Sequence, residues 1–239
     1  IFEFSYSGFI VKNMNCFIHI KNMIILEEET FKNKWNIIDD TTRVLWEHQK
    51  EAYDKMVERK INNKKGNILW LTVGLGKTLI VIKYISYLIR ENKMPKYCVY
   101  TLPPSALDSI IKEFEYFKLS YNVIDMTKNS ENNKLKKYSI NFINHDHMRM
   151  NEFDEQIRSK CNNILFIVDE FHKTLGKSQR TSLALEFSKI CNDFIALSGT
   201  IINNDNTKEI IQWLEIITDF EVTESNFWVA VGNLISNKI

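Results

Sequence analysis

Three short segments carry residue types whose spacing could do chemistry, and each follows an apolar run. The first is TVGLGKT at residues 72–78, set between ILWL and LIVIKYI. A phosphate chain needs main-chain N–H groups aimed at it with no side chain in the way. Gly74 and Gly76, with Leu75 between them, allow that approach. A helix opening near Lys77 adds the positive end of its dipole. The Lys77 ammonium then reaches β- and γ-phosphate oxygens, and the Thr78 hydroxyl can ligate Mg²⁺. The strict phosphate-loop pattern wants Gly at position 71, where this chain has Leu71. A tight turn with a lysine at a helix start is the bland alternative, and the strand–loop–helix setting weighs against it.

The second segment is Asp169-Glu170-Phe171-His172, directly after ILFIV. An acidic residue at the end of a buried strand can hold Mg²⁺, usually through water. The next carboxylate is placed to orient or deprotonate an attacking water. Asp169 is therefore the expected metal residue and Glu170 the expected catalytic base. An Asp-Glu pair is common in loops, so its weight comes from the strand–helix units that separate it from Lys77. The third segment is Ser198-Gly199-Thr200, after the next apolar run. Small hydroxyl residues at a sheet edge can bond to the acidic loop and couple it to a neighbouring domain. Read alone, such a segment is an ordinary turn.

The elements that must position these residues alternate. Strands are predicted over 67–72, 97–101, 121–125, 139–143, 163–168 and 193–197. Helices are predicted over 47–60, 77–90, 105–117, 151–159, 181–190 and 207–217. This order implies βαβ units and an α/β fold with a mostly parallel central sheet flanked by helices. The uninterrupted apolar runs suit strands buried on both faces. In such sheets ligands bind beyond the carboxyl ends of the strands, where all three segments fall. Residues 1–30 carry short β-like runs, at 1–6 and 17–26, that read as an accessory ribbon or a domain edge.

Composition bounds the rest. The 239 residues are 44% hydrophobic and 26% charged with a net charge of +1, so any contact with nucleic acid is a local patch rather than a basic surface. Cys16, Cys98, Cys161 and Cys191 form no CxxC pair and read as small apolar groups in a reducing, intracellular setting. No segment is apolar for long enough to cross a bilayer, so no membrane is expected. His48, His145 and His147 lack ligand spacing and read as partly buried or surface residues. The clusters Arg59, Lys60, Lys64, Lys65 and Lys134, Lys136, Lys137 read first as solvated loops or helix ends. Trp70 and Trp213 are expected in the core. Abundant Asn, Lys and Ile beside few Gly and Pro suggest a low-GC coding genome, which fits a large DNA virus among other sources.

Taken together, TVGLGKT, VDEFH and LSGTIINNDNTKEIIQWL, in that order, resemble the N-terminal RecA-like lobe of superfamily-2 helicases, and most closely the Snf2-like translocases. The resemblance covers about residues 43–220. It implies a RecA-like P-loop fold, ATP and Mg²⁺ as cofactors, and nucleic acid as partner, DNA ahead of RNA. Residues 74–78 would hold the phosphates. LWEHQ at 45–49 is similar to the upstream glutamine motif, which implies that Gln49 reads the adenine edge. TLPPSALDSIIKEF looks like motif Ia and NFINHDHM like a degenerate motif Ib, which implies nucleic-acid contacts at Pro103, Ser105 and Asn144. His172, Ser198 and Thr200 would couple the ATP site to the nucleic-acid side. Val73, Phe171 and Ile201 depart from the usual family residues, but none removes a charge that ATP chemistry needs.

Family members close two such lobes on ATP, and the second supplies arginines worth roughly 10³–10⁵ in rate. Too few residues follow Thr200 for another such domain, and the chain opens on Ile1 rather than Met. The expectation is a piece of a longer chain: an accessory segment (1–40), the ATP-binding lobe (41–220) and the start of a connection toward a second lobe (221–239). Alone it would bind ATP and hydrolyse it poorly. Two other readings stay open, a P-loop ATPase switched by a protein partner and a nucleotide-gated binding module without turnover.

Overall fold

The computed structural model describes residues 3–5, 8–10, 34–35, 43–127, 133–174, 179–200, 207–218 and 222–235. Eight strands lie among them: β1 Glu3–Ser5, β2 Gly8–Ile10, β3 Asn67–Trp70, β4 Tyr97–Leu102, β5 Tyr121–Ile124, β6 Ile140–Asn144, β7 Ile164–Val168 and β8 Asp193–Ser198. The helices are α1 Glu47–Ile61, α2 Lys77–Arg90, α3 Leu107–Tyr116, α4 Asn151–Arg158, α5 Gln179–Ile190, α6 Thr207–Ile217 and α7 Phe227–Ile235. Strands β3 to β8 form one six-stranded sheet in the order β3-β8-β7-β4-β6-β5, parallel at every pairing. This is the parallel sheet the alternation predicts, within the RecA-like fold that the resemblance implies. Strands β1 and β2 pair antiparallel in a separate ribbon. The second apolar run expected there, residues 17–26, lies outside the described residues.

Alternation of side chains across each strand divides the core in two. Leu165 and Ile167 of β7 join Leu69, Tyr100, Phe142 and Leu197 beneath α1, α2 and α3. Ile164, Phe166 and Val168 of the same strand join Val99, Phe194, Phe153 and Phe187 beneath α4, α5 and α6. Both faces of β7 are thus covered, which is why its sequence is continuously apolar. Phe166 stacks on Phe194 at 5.9 Å, and each such ring contributes about 1.5–3 kcal/mol by burial.

At the amino end of the sheet the buried carboxylate is paired, although the Asn67 amide nitrogen that opens β3 has no partner among the described residues. Asp193 opens β8 at 1% exposure. It accepts from Lys60 Nζ at 3.1 Å, Tyr84 Oη at 3.3 Å and the Phe194 N–H at 2.9 Å. Arg59 donates to the Gly66, Lys65 and Ile217 carbonyls. Arg59 and Lys60, read as part of a solvated cluster, thus pin α1 to β8 and α6.

Other expectations need correction. Trp70 is not core but 58% exposed, because it ends the edge strand β3 where alternation turns it outward. Trp213 is in the core. His145 is fully buried rather than partly so, because the turn after β6 carries it beneath the sheet edge. Cys98 and Cys191 are buried, Cys161 is half-buried, and Cys16 lies outside the described residues. The helix expected from 105 begins as a single 3₁₀ turn, Pro104–Ala106. No helix among the described residues is long and apolar enough to cross a membrane.

Candidate functional site

The loop between β3 and α2 takes the shape its glycines allow. Gly74 has φ +87° and Gly76 has φ +77°, both left-handed. A Cβ on Gly74 would meet nothing among the described residues, so the loop faces open space there. Gly76 caps α2, and a Cβ there would collide with the Gln49 amide. Gln49 is buried and braces the loop: Nε2 donates to the Leu75 carbonyl at 3.0 Å. Its Oε1 accepts from the Trp46 N–H at 3.0 Å and so caps α1. Lys77 Nζ donates to the Leu71 carbonyl at 2.9 Å, which folds the ammonium back over the loop. Leu71 in turn donates its N–H to the Ser198 carbonyl at 3.2 Å.

Across β8, strand β7 delivers the acidic pair. Asp169 is 7% exposed, its N–H bonded to the Thr101 carbonyl at 2.8 Å. Its carboxylate accepts from the Glu170 N–H at 2.8 Å and from Tyr100 Oη at 3.4 Å. Burial, and secondarily the Glu170 charge, push the Asp169 carboxyl up to about 6, against the pull of its own hydrogen bonds and of Lys77. Among the described residues it has no ion-pair partner, as suits a group that takes a cation. Glu170 has φ +46°, an uncommon conformation outside glycine. A cavity of about 480 Å³ joins Gly74, Gly76, Lys77 and Thr78 to Asp169 and Glu170.

His172 links this cavity to the turn after β8. Its Nδ1 lies 2.8 Å from Ser198 Oγ and 3.3 Å from Glu170 Oε2. Ser198 Oγ gives its single proton to the Thr200 carbonyl and accepts from the Thr200 N–H at 3.1 Å. With the serine proton directed to Thr200, a donor on His172 Nδ1 would face both the Ser198 hydroxyl and the Glu170 carboxylate. Glu170, His172, Ser198 and Thr200 form one chain of contacts, an approach at ion-pair distance between Glu170 and His172 and hydrogen bonds beyond it.

The residues expected at nucleic acid lie apart from this cavity, further along the same sheet edge. Pro103 caps the 3₁₀ turn after β4, and Ser105 within that turn is exposed. Asn144 ends β6, pairs in register with Leu102, and accepts from the Asp146 N–H at 3.1 Å. A cavity of about 300 Å³ between the two turns is lined by Leu102, Pro104, Val123, Asn144 and His147.

One cavity neighbour, and one exposed ring close to it in the chain, were not foreseen. Arg43 lines the 480 Å³ cavity, bonded to Glu113 at 2.6 Å and lying 4.0 Å from the centre of the Tyr116 ring. Trp46, just before Gln49, is 66% exposed. An exposed tryptophan beside a motif glutamine is a signal the sequence carried. Arg43, separated from its partners by seventy residues, had none.

The geometry fits ATP and Mg²⁺. Lys77 and the main chain of residues 74–78 would hold the phosphates, and Thr78 and Asp169 the metal, which when bound neutralises phosphate charge.

Comparison with known proteins agrees with this architecture. The family described as "Type III restriction enzyme, res subunit" matches residues 43–203. The chain is 28% identical over 174 residues to the early transcription factor 70 kDa subunit of Monkeypox virus, covering 71% of this chain and 25% of the relative. It is 29% identical over 162 residues to the same subunit of Myxoma virus (strain Lausanne), covering 66% and 24%. The chain thus spans about a quarter of the curated relatives it matches. The Sulfolobus solfataricus SWI2/SNF2 ATPase core, solved in complex with dsDNA, superposes with TM-score 0.58 at 23% identity, covering 77% of this chain and 36% of that one. The Pyrococcus furiosus Hef helicase domain superposes with TM-score 0.54 at 17% identity, covering 74% and 39%. The chain therefore belongs to the family of the type III restriction enzyme res subunit and has the fold of a superfamily-2 helicase N-terminal lobe.

Proposed function

We propose that this chain is the ATP-binding lobe of a nucleic-acid-dependent ATPase, a superfamily-2 translocase or helicase that hydrolyses ATP to ADP and phosphate when a second lobe completes the site. The observation that carries the reading is the chain Glu170–His172–Ser198–Thr200. It brings the candidate base within 3.3 Å of a histidine that is itself hydrogen-bonded to the turn after the neighbouring strand, a link that hydrolysis alone does not need.

In this reading Lys77, with the N–H groups of residues 74–78, binds the β- and γ-phosphates, and Gln49 reads the adenine edge while bracing the loop. Glu170 orients the attacking water and takes its proton, and Asp169 and Thr78 hold Mg²⁺. Pro103, Ser105 and Asn144 meet the backbone of the nucleic acid, with DNA favoured because the Sulfolobus core was solved with dsDNA. The setting is intracellular. Residues 1–40 would be an accessory segment, 41–220 the lobe and 221–239 the start of a connection toward its partner lobe.

The test is ATP hydrolysis by the longest chain carrying this lobe, with no nucleic acid, single-stranded DNA, duplex DNA or RNA, and with Glu170→Gln as the matched control. Stimulation by one of them, abolished in the control, is the expected result. A second reading is an ATPase switched by a protein partner, which the viral relatives favour because they are named as subunits of a transcription factor. Hydrolysis indifferent to every nucleic acid would select it.

A further inference from the structure

Beside the proposed catalytic pair lies an anomaly. His145 is 4% exposed, yet neither ring nitrogen has a hydrogen-bond partner among the described residues. Buried polar groups are almost always satisfied, and one left unsatisfied destabilises the fold that contains it. The ring faces the main chain of Asp169 without completing a bond of normal length and angle. Strand register explains the meeting. Thr101 of β4 pairs with Val168, and Leu102 with Asn144, so Asp169 and His145 leave the sheet at nearly the same height on either side of β4. The next residue of the acidic turn is Glu170, with φ +46°. An unsatisfied donor–acceptor ring thus abuts a strained main chain, and neither feature is explained by packing.

The other end of the His145 segment reaches the opposite side of the molecule's chemistry. Its turn, His145–Arg149, follows Asn144 and contributes His147 to the 300 Å³ cavity beside Pro104. Asp146 of the turn accepts from Arg180 at 3.1 Å, which ties it to α5, the helix that follows the acidic loop. The turn therefore touches the proposed nucleic-acid edge on one side and the acidic loop on the other, and His145 is its buried point of contact.

We infer that His145 is a positioning residue, whose ring bonds the main chain of the Asp169–Glu170 turn when nucleic acid engages the turn after β6 and so sets the Glu170 carboxylate for hydrolysis. The inference rests on the nucleic-acid-dependent ATPase reading. Without that bond the ring nitrogens have no partner of normal geometry among the described residues.

The test compares wild type, His145→Leu and His145→Asn in the longest chain carrying this lobe. The readouts are melting temperature, affinity for a fluorescent ADP, and ATP hydrolysis with and without the nucleic acid that stimulates the wild type. Leucine fills the space and removes the orphaned nitrogens, so it should raise the melting temperature by about 2 °C or more. It should leave ADP affinity within about twofold, since His145 does not line the nucleotide cavity. It should lower stimulated kcat about tenfold with KM for ATP unchanged, the pattern of a lost transition-state interaction. Asparagine, which keeps a donor and an acceptor, should recover part of that loss. A His145→Leu protein with wild-type stimulation overturns the inference. So does a loss shared equally by His145→Asn and accompanied by a fall in melting temperature, since packing alone would then explain it. A wild type that no nucleic acid stimulates removes the functional reading itself, and is recognised before any variant is compared.

Discussion

The two ends of one parallel sheet treat buried charge in opposite ways. At the amino end, Asp193 is enclosed and bonded to an ammonium, a phenol and a main-chain N–H. At the carboxyl end, Asp169 is nearly as deeply buried, yet its bonds come from the next N–H and a longer contact with Tyr100, and no ion pair reaches it among the described residues. The same contrast holds for the neighbours. Arg59 saturates carbonyls at one end, whereas at the other His145 keeps two unpartnered nitrogens and Glu170 a left-handed main chain. Where charge is satisfied within the fold it stabilises the fold. Where it is left incompletely satisfied, the deficit marks the place a ligand completes.

Breaking the amino end should have the largest effect. Lys60→Ala leaves Asp193 buried without its cation and should cost about 3–5 kcal/mol in urea unfolding, while ATP affinity of the folded fraction stays near wild type. A loss under 1 kcal/mol would mean that Tyr84 and the Phe194 N–H suffice for Asp193, and the contrast between the ends would weaken. At the carboxyl end, Lys77→Ala should reduce ATP affinity by about 10–100-fold and change the melting temperature little, as read by calorimetric titration and thermal scan. A protein that unfolded instead would show Lys77 to be a structural cap on Leu71.

Asp169→Asn should be the converse of Lys60→Ala: it should stabilise the nucleotide-free fold by about 1–2 kcal/mol at pH 7 and abolish Mg²⁺-dependent tightening of ATP binding. The wild-type carboxyl, raised to about 6 from 3.8, favours the fold when protonated. That contribution is complete below the unfolded value and is lost as pH rises through about 6. Wild-type stability should therefore gain on the asparagine variant as pH falls from 7 to 4. The smallest effect is expected from Ser198→Ala, which removes one link of the His172 chain. It should lower nucleic-acid-stimulated hydrolysis about two- to fivefold with basal hydrolysis unchanged. Equal loss in both would mean that the serine only orients the base.

The glycine loop and the acidic pair were legible as a candidate site because the chemistry proposed for them is local. Gly74, Gly76, Lys77 and Thr78 are neighbours in the chain, and the conformation they need is set within seven residues of loop and helix start. The alternation of apolar runs with helical periods likewise announced the α/β fold, since each strand of a covered parallel sheet must be apolar on both faces. Trp70 was misread because apolar character does not say which strand is the edge. That is settled by strand order, and β3 is flanked on one side only.

By itself, then, the sequence determined the element order, the glycine-shaped loop and the identity of the groups at the strand ends, because each depends on neighbouring residues and on the right-handed connection of parallel strands. The tertiary structure decided what those groups touch. It placed Gln49 on the Leu75 carbonyl, Arg43 in the cavity shared by the glycine loop and the acidic pair, Lys60 on Asp193 and His145 beside Asp169. None of these contacts has a period or a motif, because each joins segments whose approach is fixed only when the helices have packed on both faces of the sheet.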